Sequence, residues 1–252
     1  MVRHQAQPGD FALRATGRRV ASVDRTGKFI IASLEGDGGE RDMVWVTHLG
    51  MSGHIELARP GTEEALHTNV VVAIGGPGGL VEVRLVDPRT FGFVWALTPD
   101  ELAESSLAAL GPDAHTALPR SPALAAALAG RTAPIKALLL DQRIVSGLGN
   151  IYADEALFRA RIHPTREGGS LTPDEVARLR RAVKVTLDAG LRWGGTTLDD
   201  LAYLLPDGRA GHFARRLMVY GRTCLPCRRC GTPIARIELR ARGTHFCPVC
   251  QG

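Results

Sequence analysis

Five cysteines crowd into the last 29 residues of a 252-residue chain. Cys227-Arg-Arg-Cys230 and Cys247-Pro-Val-Cys250 form two C-x2-C knuckles with sixteen residues between them. Each knuckle presents two thiolates, and tetrahedral Zn2+ takes four, so the spacing points to one zinc ion held by Cys227, Cys230, Cys247 and Cys250. Four thiolates leave no open coordination position, which makes the metal structural rather than catalytic. A redox-active pair is the alternative for either knuckle alone; two knuckles in one basic tail favour metal. Cys224 is left over. Its spacing to Cys227 also permits a shifted register, but the Cys227/Cys230 and Cys247/Cys250 set is the symmetrical one. The ion would stiffen a hairpin too small to fold unaided, and that hairpin carries Arg236, Arg240 and Arg242.

The charge distribution says what such a tail could hold. From Gly208 onward nine arginines stand against one acid, Glu238, while the remainder carries 22 basic and 25 acidic residues. A basic appendage on a mildly acidic body suits a polyanion such as nucleic acid, the alternative being a solubilising surface. Lys28 is one of three lysines against 28 arginines. Its compact ammonium can transfer a proton where a guanidinium stays charged, although a lysine in a turn is more often simply solvated. Asn150 follows the glycine-punctuated turn Ser146-Gly-Leu-Gly149 at an expected helix start. There backbone N–H groups and its amide could hold a phosphate, or the residue could serve only as the helix cap.

These residues need elements to position them. Short β-rich runs at 20–23, 29–34, 43–46, 70–74, 80–86 and 91–96, separated by Gly- and Asp-containing turns (36–39 and 75–79), predict a β-sandwich or barrel. Thr98-Pro-Asp-Glu101 reads as a helix start. From Ser121 the period becomes helical. Ser121-Pro122 is expected to cap an alanine-rich helix, and Ile135, Leu138 and Leu139 form one stripe of the next. A further helix is expected over 151–160, and a long one opens at Thr172-Pro173 with Val176, Leu179, Val183 and Leu187 on its inner face. The expected class is α+β, divided into a sandwich over 1–98, a helical domain over 99–220 and a zinc finger over 221–252. Residues 194–220 read as loop. Composition (44% hydrophobic, 23% charged) excludes a disordered tail protein. No apolar run approaches a membrane span, and the start lacks an apolar signal core, so a soluble, cytoplasmic monomer is expected.

With both regions read, the chain resembles the formamidopyrimidine-DNA glycosylase/endonuclease VIII family of base-excision repair enzymes. The stretches that carry the resemblance are Leu49-Gly-Met-Ser-Gly53, Asp87-Pro-Arg-Thr-Phe-Gly92, Gly147-Leu-Gly-Asn-Ile-Tyr-Ala-Asp-Glu155, Gly194-Gly-Thr-Thr-Leu198, Val219-Tyr-Gly-Arg222 and the cysteine tail, in the family's order. The resemblance implies a sandwich, a helix–two-turn–helix domain and a zinc finger, with damaged double-stranded DNA bound between them. It implies glycosylase and lyase activity on oxidised purines such as 8-oxoguanine and formamidopyrimidines. Flipping a damaged base leaves a hole in the stack. Met51, Arg89 and Phe91 are similar to the residues that fill it: an apolar plug, an arginine towards the orphan base and an aromatic wedge. Taken singly, each is more often core packing or a turn residue. That trio favours the formamidopyrimidine branch. His67 corresponds to a DNA-contacting histidine, or else is a strand-edge histidine. By the same resemblance Lys28 approaches the sugar during strand cleavage, Asn150 binds phosphate, and Arg242 grips phosphate and assists the second elimination.

The resemblance also implies an N-terminal proline nucleophile followed by a glutamate. Here the chain reads Met1-Val-Arg-His4, and neither Pro8 nor Glu35 has the terminal context to substitute. Two explanations are expected to compete. Either the start is mis-assigned and the protein is an ordinary glycosylase/lyase, or the chain is a truncated, non-catalytic paralogue that binds damaged DNA or abasic sites. The second would leave apolar sandwich surface exposed. A zinc-ribbon module binding protein or RNA is a third reading, which leaves Met51, Arg89 and Phe91 unexplained.

Overall fold

Alternating apolar residues in the first hundred positions demand a sheet with one buried face, and the structure, a computed structural model, supplies two. It describes residues 10–36, 42–198 and 203–252. Strands β1 (Arg19–Thr26), β2 (Phe29–Glu35), β3 (Met43–His48) and β7 (Phe93–Leu97) form an antiparallel sheet in the order β1-β2-β3-β7. Strands β4 (His54–Ala58), β5 (Thr68–Gly76) and β6 (Gly79–Val86) form a second, in the order β4-β6-β5. Leu34, Met43, Val94 and Ala96 from the first sheet meet Leu85 from the second, with Phe11 beside them. This is the sandwich expected from the sequence.

Three details depart from expectation. A short helix, α1 (Asp10–Ala15), precedes β1; its Phe11 packs edge-on against Trp45, with ring centroids 5.6 Å apart. Strand β4 was not foreseen either, although its Ile55 and Leu57 alternate with His54 and Glu56. The run read as starting at Phe91 begins instead at Phe93, because the Gly92 N–H donates to the Asp87 carboxylate (2.6 Å) and not to a neighbouring strand. Phe91 is thereby left in a loop. Of the turn expected over 36–39, residues 37–39 lie outside the described residues. An apolar cavity of about 640 Å³ opens in this part of the fold, lined by Phe11, Val20, Leu34, Trp45, Val70 and Val72 among others.

Helix α2 (Pro99–Glu104) begins as its sequence predicts. Thr98 Oγ1 accepts from Glu101 N–H while the Glu101 carboxylate accepts from Thr98 N–H. The same reciprocal cap, made by Thr172 and Glu175, opens α6 (Pro173–Arg192). Helix α3 (Ser121–Leu128) corrects an expectation: Arg120 is its cap and makes no side-chain cap bond, and Ser121 is already helical. Helices α4 (Ile135–Leu140) and α5 (Asn150–Ala160) complete the helical part. Its core joins Leu124, Ile135, Leu139, Leu157, Leu179 and Val183. Strands β8 (Ala235–Leu239) and β9 (Arg242–Phe246) form the terminal hairpin. By their contacts the residues fall into two compact units, Met1–Ala108 with Gly194–Ala214, and Ala109–Trp193 with Arg215–Gly252. Among the described residues, no helix is long and apolar enough to cross a membrane.

Candidate functional site

In the sheet unit, one buried carboxylate organises most of the residues singled out in the sequence. Asp87 is fully buried at the end of β6. Its side chain accepts hydrogen bonds from Ser52 Oγ (2.5 Å), Gly92 N–H (2.6 Å) and Arg89 N–H (3.3 Å). Its backbone N–H donates to the His67 carbonyl (3.0 Å), and its carbonyl accepts from Asn69 Nδ2 (2.8 Å). Burial pushes the Asp87 carboxyl up, but the Ser52 hydroxyl and the loop amides outweigh it and hold it below the ordinary aspartate range. Two loops are thus tied to one side chain. They also touch directly: a Cβ on Gly50 would lie 2.6 Å from Gly92 N and 2.7 Å from the Phe91 carbonyl carbon, and Gly50 has φ +67°. Only glycine fits there.

Around this anchor stand Met51 (59% exposed) and Phe91 (42% exposed), with Arg89 and His67 also at the surface. Large apolar side chains exposed beside a buried polar clamp are not core residues, which leaves Met51 and Phe91 as loop residues and not core packing. His67 takes φ 70° and its carbonyl bonds to Asp87, so it is a loop residue and not a strand-edge one. Lys28 occupies the two-residue turn between β1 and β2, where Gly27 takes φ 58°. Its charge acts on His48, the register partner of Phe29. Burial first, and then Lys28, hold His48 below the usual histidine range, and its Nδ1 accepts from Gly50 N–H (3.0 Å).

The helical unit holds the remainder. Asn150 is the first residue of α5, with Gly149 as the cap, so it is not the capping residue. Its Nδ2 donates to the Gly243 carbonyl in the hairpin (3.1 Å), and its buried Oδ1 has no hydrogen-bond partner among the described residues. Arg242 is exposed at the start of β9, after a two-residue turn in which Arg240 and Ala241 take φ 49° and 56°. Beneath it the Lys136 ammonium, fully buried, lies 2.6 Å from Asp154 Oδ1 and donates to the Gly243 carbonyl (3.0 Å) and Thr244 Oγ1 (2.8 Å). Burial presses Lys136 below the usual lysine range, and Asp154 opposes that. The neighbouring Glu155 carboxylate accepts N–H donors of Met218, Val219 and Tyr220, all within 3.0 Å. Burial pushes Glu155 above the ordinary range, against the pull of those amides.

Sequence reasoning passed over Lys136, Asp154, Glu155, His48 and Asp87 as functional residues. For Lys136, Asp154 and Glu155 the available signal was ionisable residues in helix positions otherwise occupied by core alanines and leucines; His48 and Asp87, at strand ends, offered none of that kind.

The sulfur atoms of Cys227, Cys230, Cys247 and Cys250 lie within 4.8 Å of one another. That is the cage four thiolates make around a tetrahedral ion with metal–sulfur bonds of about 2.3 Å. Burial and the neighbouring sulfurs push the Cys250 thiol up to about 12, whereas hydrogen bonds involving Thr232 bring Cys230 down to about 6. A metal binding there would displace protons. Cys224 is exposed and does not belong to the group.

The chain is similar to known proteins along most of its length. Residues 1–94 match the formamidopyrimidine-DNA glycosylase N-terminal domain, residues 110–201 the formamidopyrimidine-DNA glycosylase H2TH domain, and residues 225–252 a zinc finger found in FPG and IleRS. The formamidopyrimidine-DNA glycosylase of Thermus thermophilus is 43% identical over 239 residues, covering 94% of this chain and 84% of the relative. That of Deinococcus radiodurans is 42% identical over 245 residues, with the same coverage. The crystal structure of the MutM (Fpg) protein from Thermus thermophilus superposes with a TM-score of 0.82 at 42% identity, covering 95% of this chain and 85% of that one. A Lactococcus lactis Fpg complexed with DNA containing an abasic site gives 0.81 at 31% identity, covering 94% and 83%. The chain belongs to the formamidopyrimidine-DNA glycosylase family.

Proposed function

We propose that this protein is a base-excision repair glycosylase with lyase activity that recognises oxidised purines, 8-oxoguanine and formamidopyrimidines among them, in duplex DNA. The observation that carries the reading is the clamp at Asp87, which presents Met51, Arg89 and Phe91 outward from two mutually packed loops. In this reading Met51 and Phe91 enter the stack vacated by the flipped nucleotide, and Arg89 faces the orphan base. His67, Asn150 and Arg242 bind backbone phosphates. Lys28 transfers protons at the sugar, and Arg242 also assists the second elimination. The four thiolates of Cys227, Cys230, Cys247 and Cys250 take one structural zinc ion, which keeps the arginine hairpin folded. Solved relatives bound to abasic-site and Fapy-dG DNA support the substrate class. The non-catalytic alternative has no such support, since the relatives compared are named as glycosylases.

Excision with lyase chemistry passes through an amine bonded to the sugar C1′, which borohydride reduction traps. Zinc-loaded protein extended by the proline–glutamate start that the family resemblance implies is therefore expected to form a covalent adduct with duplex containing 8-oxoguanine, the proline amine being the nucleophile, and to bind an abasic analogue more tightly than undamaged duplex. Tighter abasic binding without adduct or nicking would return the reading to a binder, and equal affinity for both duplexes would overturn it altogether.

A further inference from the structure

Three side chains from the helices converge on the first residues of β9. Asn150 and Lys136 both donate to the Gly243 carbonyl, Lys136 also reaches Thr244 Oγ1, and Asp154 Oδ2 accepts from the His245 N–H (2.8 Å) and faces His245 Nδ1 (3.3 Å). Asp154 is the member that joins Lys136 to His245. Its first oxygen is 2.6 Å from the Lys136 ammonium and its second takes the backbone of His245, and both Asp154 and Lys136 are wholly shielded from solvent. A lysine buried to this extent keeps its charge only opposite a carboxylate. Without Asp154, Lys136 loses its counter-charge and β9 loses two of its ties.

What those ties hold is the turn before them. Leu239 pairs with Arg242 across a two-residue connection, a hairpin geometry that favours Asn-Gly. Here Arg240 and Ala241 occupy it, both in the left-handed region. Consecutive side-chain-bearing residues persist in that region only where their surroundings over-determine them. The buried carboxylate supplies the constraint on the C-terminal side of the turn, and Arg242 is the first residue after it.

We propose that Asp154 is a positioning residue for Arg242: its carboxylate, through Lys136 and the His245 amide, fixes the start of β9 so that the arginine projects from a rigid turn. This deepens the reading of Arg242 as a phosphate contact and rests on it.

A double-mutant cycle on the zinc-loaded full chain tests the coupling, with duplex carrying a tetrahydrofuran abasic analogue as the probe and zinc content measured for each variant. Asp154→Asn is expected to weaken binding about tenfold in the parent and less than about twofold in an Arg242→Ala background, the signature of two residues acting as one. Undiminished affinity in Asp154→Asn, or equal losses in the two backgrounds, would overturn the proposal. Should Asp154→Asn fail to fold, Lys136→Met removes the ammonium through which Asp154 reaches Gly243 and Thr244 and leaves the Thr244 hydroxyl free to keep its bond to the Arg242 carbonyl. The same sub-additive pattern is expected from it, and additivity would again be contrary. A parent protein with no preference for the abasic duplex would instead sink the functional reading on which this one stands.

Discussion

In the proposed reading Phe91 and Arg242 contribute to binding in different ways, and substitution separates them. Phe91 projects from a loop tied down at Gly92 and is 42% exposed. A wedge that occupies a gap made only by flipping contributes little to intact duplex. Phe91→Ala is therefore expected to lower affinity for an abasic duplex about tenfold more than for undamaged duplex in a competition assay. Equal losses would argue that Phe91 contacts DNA without entering it. Arg242, read as a phosphate contact, should behave in the opposite way. Arg242→Ala is expected to weaken binding to damaged and intact duplex alike, and to reduce the slope of log affinity against log salt by about one. An unchanged slope would mean that its charge is not at a phosphate.

Two buried carboxylates act on whole elements. Glu155 of α5 closes the Met218–Tyr220 segment by accepting three successive amides. Glu155→Ala leaves those donors buried without an acceptor, which should cost about 3 kcal/mol or more in chemical unfolding. Asp87 does the same for the two loops beside β6, and its depressed pKa sets the sign of a pH effect. Because the folded carboxyl releases its proton more readily than the unfolded one, its stabilisation is complete above the unfolded aspartate value, about 4, and drains away as pH falls through the folded value. Asp87→Asn should lose stability at neutral pH and show a shallower decline below about pH 4 than the parent. Parallel acid limbs in the two proteins would place the clamp elsewhere.

At the scale of the molecule, the metal centre and the sandwich were the legible parts. The cysteine spacing already named the four ligands and left out Cys224, because a knuckle is a local motif that needs no tertiary knowledge. Chelation, or Cys247→Ser, is expected to release zinc and reduce binding to abasic duplex at least about tenfold, whereas Cys224→Ser should leave the zinc content unchanged. Loss of metal from Cys224→Ser would reassign the ligand set. Strands at 29–34, 43–46 and 80–86 were readable as short β-rich apolar runs between turns, and both Thr-Pro helix starts from their caps. Helix α1 was not, its six residues being too few to display a period, and strand β4 was passed over although Ile55 and Leu57 alternate with His54 and Glu56. Asn150 was placed at the right helix end, but its contact with Gly243 was invisible. Lys136, Asp154 and Glu155 resisted reading for the same reason. Their partners lie between 18 and 108 residues away in the chain, and a buried charge is recognisable only once its counterpart is in place.

The clamp at Asp87 has one more implication. Since Ser52, Arg89 and Gly92 all bond to a single carboxylate, Met51 and Phe91 stand on two segments fastened to the same side chain. Evolution or an engineer seeking to adjust the spacing of Met51 and Phe91 would have to exchange both segments together, as a cassette.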